Sequence, residues 1–412
     1  MHHVAGYRCT ICGKEFPFEP ELMTCPHCGE KGILDIVYDY EKLKKSGVLT
    51  RASLEGNRDN SMWRYSPLMP LKNADFAGHL RIGWTPLYES RALVKELGIK
   101  KLYIKDDGLN PTASLKDRAS GVAVAKALEL GYDTIACSST GNAASSCAGS
   151  AARMGLKAVI FVPERAPEGK VSQLMIFGAR VVSVQGDYKA TFDLSKAAIE
   201  KYGWYNRNAG INPVMVEGKK TVAMEIAEQL SWEPTDWVAC SVGDGCTIGG
   251  VYRGFEDLYR LGLIDRIPKI LGVQSTGCCP FVDAAREGRD LLPTPENTLA
   301  DSIAVGVPRN PVKALRAVAD SKGTWIAVSD EDILDTMRVL GRTEGVFGEP
   351  AGVTATAGVR AAVAQGIIKP DETVTAISTG SGLKDVKNAL KAAGKPKLCP
   401  PSLEALEASG IL

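Results

Sequence analysis

From residue 102 onward, short apolar runs alternate with longer alanine-rich stretches, and glycine, serine or charged residues separate them. The runs at 102–105, 134–137, 158–162, 180–184, 237–240, 270–274 and 373–377 have strong strand character, several of them apolar at consecutive positions. That pattern predicts strands buried on both faces. The stretches 120–130, 143–154, 221–230 and 352–365 place apolar residues at helical spacing. Strand and helix in regular succession predict an α/β chain with parallel sheets covered by helices. Residues 133–207 hold three compact strand-helix units and are read as a smaller lobe inserted in a larger one made of 46–132 and 208–400. In open parallel sheets ligands bind beyond the carboxyl ends of the strands, so the loops there are where chemistry is expected.

Length agrees with this division, because 412 residues exceed what one hydrophobic core usually organises. Lys and Arg number 49 against 48 Asp and Glu, which leaves no global field to attract nucleic acid or an acidic membrane. A small partner is expected. The first residues lack a basic segment followed by an apolar run, and no stretch reaches the roughly 18 consecutive apolar residues of a membrane span. A cytoplasmic enzyme, with no membrane partner, is the expectation.

Residues 1–45 read as a separate metal module. Cys9-Thr-Ile-Cys12 and Cys25-Pro-His-Cys28 are two C-x-x-C knuckles, each followed by glycine. The two-residue spacer lets both thiolates of a knuckle reach one tetrahedral ion, and the glycine permits the tight turn behind it. Four sulfurs close the site to water and substrate, so Zn2+ bound by Cys9, Cys12, Cys25 and Cys28 would be structural. An iron centre of rubredoxin type, free thiols or disulfides are the alternatives, and His27 is a competing ligand inside the second knuckle. No dense basic patch with interleaved aromatics lies nearby, which disfavours nucleic acid.

Four loops after strands carry chemistry. Asn110-Pro-Thr-Ala-Ser-Leu-Lys-Asp-Arg118 puts Ser114 where a helix cap belongs and Lys116 in the first helical turn. A cation is disfavoured at that end of a helix, which makes the neutral, nucleophilic amine easier to reach. Read alone, Lys116 is better taken as a surface lysine paired with Asp117, and it is the surrounding residues that shift the reading. Ser138-Ser-Thr-Gly-Asn-Ala-Ala-Ser145 offers the N–H groups of Ser139, Thr140 and Gly141 to a carboxylate, and Asn142 as a donor. Ser241-Val-Gly-Asp-Gly-Cys-Thr-Ile-Gly-Gly250 suits a phosphate but matches neither the P-loop nor G-x-G-x-x-G. Ser378-Thr-Gly-Ser-Gly-Leu-Lys-Asp385 supplies hydroxyls for a ring nitrogen. Each of these three, taken alone, is also an ordinary turn.

Together with Glu217-Gly-Lys-Lys-Thr221 and Glu349-Pro-Ala351, these motifs resemble, in consistent order over residues 83–385, threonine synthase and its close relatives. The resemblance implies the two-lobed, type II pyridoxal-phosphate fold of the tryptophan synthase β kind, plus the N-terminal zinc ribbon. It implies pyridoxal 5'-phosphate as cofactor, Lys116 as the Schiff-base lysine and Asn142 beside the cofactor's 3-hydroxyl. Gly243, Asp244, Gly245, Cys246 and Thr247 would hold the phosphate, and Thr379 would meet the pyridine nitrogen. A neutral partner there moderates the electron sink, which suits elimination and replacement. A homodimer acting on a small amino acid is expected.

The chain departs from the family at Leu115, where phenylalanine is frequent, and at Ala143, where threonine is. The departure that bears on substrate is Met215, in Asn212-Pro-Val-Met215, where the family's arginine contributes to binding the phosphate of O-phosphohomoserine. Methionine supplies neither charge nor a bidentate fork. Arg207, Lys219 and Lys220 are the candidate replacements. Three activities follow: threonine synthase; a β-elimination or β-replacement enzyme of the dehydratase or cysteate-synthase kind; or a catalytically silent metal-binding interaction protein.

Overall fold

A computed structural model describes residues 3–72, 79–166, 168–186 and 188–411. Four short strands form the N-terminal sheet: β1 (Val4–Cys9), β2 (Glu15–Phe16), β3 (Thr24–Cys25) and β4 (Gly29–Tyr38), all antiparallel. The chain then enters a six-stranded sheet through β5 (Leu87–Glu89) and β6 (Lys101–Asp106). It leaves to build a parallel four-stranded sheet from β7 (Thr134–Ser138), β8 (Lys157–Pro163), β9 (Arg180–Val184) and β10 (Tyr205–Asn206), ordered β10-β7-β8-β9. It returns with β11 (Trp237–Ser241), β12 (Lys269–Ser275), β13 (Thr324–Val328) and β14 (Thr373–Ser378). The larger sheet has the order β13-β12-β11-β14-β6-β5, parallel except for β5.

The seven strands expected from the apolar runs are present, and the four expected helices fall at Lys116–Glu129, Asn142–Met154, Thr221–Gln229 and Pro350–Ala364. β13 was not among those runs. It is an edge strand, partly exposed, although its run Trp325-Ile-Ala-Val328 is as apolar as the others. Every residue of β11 is buried, as expected for a central strand with helices on both faces. The helix Pro350–Ala364 lies so close to β12 that a Cβ on Gly358 would be 2.3 Å from Val273 Cγ2.

One continuous core joins Tyr7, Leu34 and Ile36 of the N-terminal sheet to Val122, Ile226 and Phe255 of the helices around the large sheet. The N-terminal sheet is therefore packed onto the fold, and polar contacts fix its seat. Lys313 Nζ donates to Leu34 O at 2.8 Å and pairs with Asp35 at 3.0 Å. Tyr40 Oη donates to Asp257 at 2.6 Å, and Tyr38 Oη to Glu217 Oε2 at 2.7 Å. Among the described residues, no helix is long and apolar enough to cross a membrane.

Candidate active site and cysteine cluster

Strands β11, β14 and β6 are neighbours, so the loops at their carboxyl ends share one side of the sheet. Lys116 opens the helix Lys116–Glu129 after β6. The loop before it is sewn to the loop after β14: Leu115 N–H donates to Thr379 O at 2.9 Å, Ser381 N–H to Ala113 O at 3.0 Å, and Ser114 bridges Gly380. Ala113 takes a positive φ of 65° to make the turn. Ser114 is not the cap expected of it. The helix starts with Leu115 already helical and no side-chain cap, and Ser114 Oγ is buried without a hydrogen-bond partner among the described residues. The loop's position is set by the bonds to Thr379 and Ser381 instead. Asp117 does not pair with Lys116, because its carboxylate accepts from Thr112 N and Thr112 Oγ1 at 2.7 and 2.6 Å.

Lys116 is partly exposed to the cleft yet deeply set in the protein. Desolvation lowers its pKa, the nearby Glu349 carboxyl opposes that, and Arg207 adds to it. Glu349, 5% exposed, accepts from Asn142 Nδ2 at 2.6 Å and donates its own N–H to Gly380 O at 2.9 Å. Burial pushes its carboxyl up to about 7, against the pull of Lys116. Asn142 begins the helix Asn142–Met154 after β7, with Gly141 as an uncapped start. Ser139 Oγ accepts from Gly141 N at 3.2 Å. Thr140, Gly141, Asn142, Ser145, Glu349 and Lys384 line one cleft, where Lys384 Nζ donates to Ser145 Oγ at 2.9 Å.

The glycine-rich loop after β11 leads into the helix Cys246–Leu261. Gly245 has φ +88°, and a Cβ there would lie 2.6 Å from Asn310 O; a Cβ on Gly243 would lie 3.0 Å from Ile303 Cα. Only glycine fits this turn without displacing its neighbours. The Asp244 carboxylate accepts from Arg309 N at 3.3 Å, and Cys246 Sγ accepts from Asn310 Nδ2 at 3.0 Å. The helix start carries no side-chain cap and Thr247 is half-buried, so its first backbone N–H groups have no side-chain acceptor. Lys116 and Cys246 each enter the other's electrostatic surroundings, so this loop lies near the lysine.

In the N-terminal sheet the sulfurs of Cys9, Cys12, Cys25 and Cys28 all lie within 4.8 Å of one another. Gly13 and Gly29 take the positive φ values, 69° and 63°, that the two turns need. A Cβ on Gly32 would lie 2.5 Å from Cys25 Cβ, so the backbone there passes as close as glycine allows. His27 is outside the cluster, stacked on Phe16 and beside Lys14 Nζ at 3.4 Å.

Glu349 and Lys384 of the cleft, and Asn310 beside Cys246, lie outside the site expected from the sequence, whereas Ser378, one of the hydroxyls offered there, has its Oγ buried without a partner among the described residues. Glu349 and Lys384 sat in recognised motifs, where an acid directly before Pro350 was the available signal. Asn310 had none, since only the tertiary fold brings it to Cys246. The three candidate replacements for the missing cation have different surroundings. Arg207 donates to Ser120 and Ser146 hydroxyls, Lys220 faces the N-terminal sheet, and Lys219 faces Cys246. Met215 is fully buried in the apolar core.

The family model for the pyridoxal-phosphate dependent enzyme matches residues 79–380. A threonine synthase of Methanocaldococcus jannaschii is 40% identical over 94% of this chain and 95% of its own length. A threonine synthase of Methanosarcina acetivorans is 37% identical over 98% of each. The solved structure of the processed threonine deaminase isoform 2 of Solanum lycopersicum superposes with a TM-score of 0.64 at 23% identity, covering 75% of this chain and 83% of its own, a likeness of fold.

Proposed function

The chain belongs to the threonine synthase family of pyridoxal-phosphate-dependent enzymes, and on that premise we propose that it converts O-phosphohomoserine and water to threonine and phosphate. The observation that carries this reading is a likeness to threonine synthases that runs nearly the whole length of both chains. The residues of the cleft fit the cofactor. Gly245, which admits no Cβ, and Gly243, which leaves little room for one, precede an uncapped helix start suited to a phosphate, a lysine with a lowered pKa lies near it, and Ser378 brings a buried, unpartnered hydroxyl.

In this reading Lys116 holds the cofactor covalently, Asn142 attends its ring hydroxyl, residues 243–247 hold its phosphate and Thr379 meets its ring nitrogen. When bound, pyridoxal phosphate supplies an electron sink for negative charge at the substrate's α-carbon. Lys116 then takes and returns protons at the α- and β-carbons, a task that a desolvated, readily neutral amine suits. Ser139, Thr140 and Gly141 receive the substrate carboxylate at a helix start. Glu349, protonated up to about pH 7, keeps Asn142 oriented without adding a full negative charge beside the cofactor.

The four-cysteine cluster we assign to one structural Zn2+, which a closed set of thiolates favours. The assembly we propose is a cytoplasmic homodimer. A second reading, β-elimination or β-replacement on a serine- or threonine-like amino acid, is favoured by one observation, the uncharged and fully buried Met215. A substrate panel separates the two. Phosphate release from O-phosphohomoserine with threonine as product is expected. No phosphate release, with 2-oxo acid formed from serine or threonine, would replace the first reading by the second.

A further inference from the structure

The helix Val214–Lys219 ends on one buried lysine and is followed by a second, Lys220, and the surroundings of the two are opposite. Lys220 is held between Glu217 and Asp257, the latter at 2.7 Å, and lies over the Tyr38 ring. Lys105 and Lys126, similarly buried, also meet carboxylates, Glu225 at 2.8 Å and Glu129 at 2.5 Å. Lys219 is 2% exposed and, among the described residues, makes no hydrogen bond or ion pair.

Its stem packs on the first turns of the helix Cys246–Leu261, where a Cβ on Gly250 would be 3.0 Å from Lys219 Cβ. Its ammonium interacts with Cys246, the first residue of that helix, and with Lys116. Burial brings its pKa down to about 8, Cys246 resists the change, and Lys116 and Arg207 add to it. Asp244 also acts on it, but that carboxylate is bound to the Arg309 N–H. Lys219 therefore sits beside the positive end of a 16-residue helix, near Lys116, and among the described residues no carboxylate forms an ion pair with it. Such an arrangement is costly unless an anion completes it.

We infer that Lys219 Nζ is a ligand for a phosphate monoester dianion at the start of the helix Cys246–Leu261, and that it makes this site selective for phosphorylated ligands. The inference rests on the cofactor reading above. Two phosphates share the required chemistry, the cofactor's own and the leaving group of the substrate, and one set of measurements tells them apart.

Lys219→Gln and Lys219→Arg are made in the full chain, and binding of pyridoxal phosphate and of unphosphorylated pyridoxal to the apoprotein is followed by tryptophan fluorescence. If the cofactor's phosphate is the ligand, Lys219→Gln weakens pyridoxal phosphate roughly tenfold or more, leaves pyridoxal binding unchanged, and Lys219→Arg recovers part of the loss. If the substrate's phosphate is the ligand, cofactor affinity is unchanged. Competitive inhibition of the holoenzyme by inorganic phosphate then weakens by about the same factor. Either result supports the inference. Unchanged affinity for both phosphates, or equal loss of pyridoxal and pyridoxal phosphate, overturns it. Wild-type protein that takes up no pyridoxal phosphate overturns the cofactor reading itself, a different outcome from the failure of Lys219 alone.

Discussion

The two sides of the segment Glu217–Lys220 handle charge in contrary ways. Toward the N-terminal sheet, Glu217, Lys220, Asp257, Tyr38 and Tyr40 form a closed network in which both acids and the lysine are matched. Toward the cleft, neither Lys116 nor Lys219 forms an ion pair with a described carboxylate, and the Glu349 carboxyl that acts on Lys116 is itself held toward its protonated form. The closed side behaves as structure, because removing one member strands the others in a low-dielectric interior. The open side carries its electrostatic imbalance as a binding preference, which an anionic ligand or covalent capture of an amine relieves.

Replacing Lys116 is the strongest way to break the cleft. Lys116→Ala should lower turnover by about 10³-fold or more and abolish the visible absorbance of covalently held cofactor. Some cofactor should remain bound through its phosphate. Undiminished turnover would remove the cleft from the account.

The two lysines sharpen the comparison directly. Lys220→Met should cost roughly 3–5 kcal/mol in denaturant unfolding of the apoprotein, because Glu217 loses its cation and Asp257 keeps only Arg253. Lys219→Met should cost little or even stabilise the apoprotein, having no partner to strand. Equal losses would mean that the two sides do not differ.

Glu349 gives the cleft a pH signature. Its folded carboxyl keeps a proton up to about pH 7, whereas the unfolded one releases it near 4.5. Over that window the native state binds more protons, so this residue's contribution is complete below pH 4.5 and is lost as pH rises to about 7, a span on the order of 3 kcal/mol. Glu349→Gln should flatten that part of the apoprotein's stability curve, read by urea unfolding at a series of pH values. An unaltered curve would argue against the buried, protonated acid.

The smallest effect belongs to the seat of the N-terminal sheet. Tyr38→Phe removes the 2.7 Å hydrogen bond to Glu217 and should cost about 1–2 kcal/mol. Removing the metal with a chelator should loosen the same sheet while leaving cofactor absorbance in place, with elemental analysis reading one zinc per chain beforehand. Cofactor lost in step with the metal would show the two regions to be coupled.

How far the sequence reaches follows the same division. Local patterns survive translation into structure: paired cysteines at two-residue spacing meet in one cluster, and apolar runs become β6, β7, β8, β9, β11, β12 and β14. Relations across the fold do not. Lys219 and Lys220 are adjacent in sequence, and what separates their roles is Tyr38 and Asp257 on one side and Cys246 on the other, all distant in the chain. Ser114 looked like a helix cap because capping preferences are local, and it yielded to a tertiary bond between Leu115 and Thr379. Glu349 stood in a recognised motif, yet its hold on Asn142 depends on a contact across 207 positions.

The claim at the centre is that Lys116, among several buried lysines, carries the cofactor. Borohydride reduction of the pyridoxal-phosphate-loaded protein, followed by peptide mapping, tests it most directly. The account predicts a single pyridoxyl group on Lys116. A label on Lys219, Lys384 or any other lysine would contradict it.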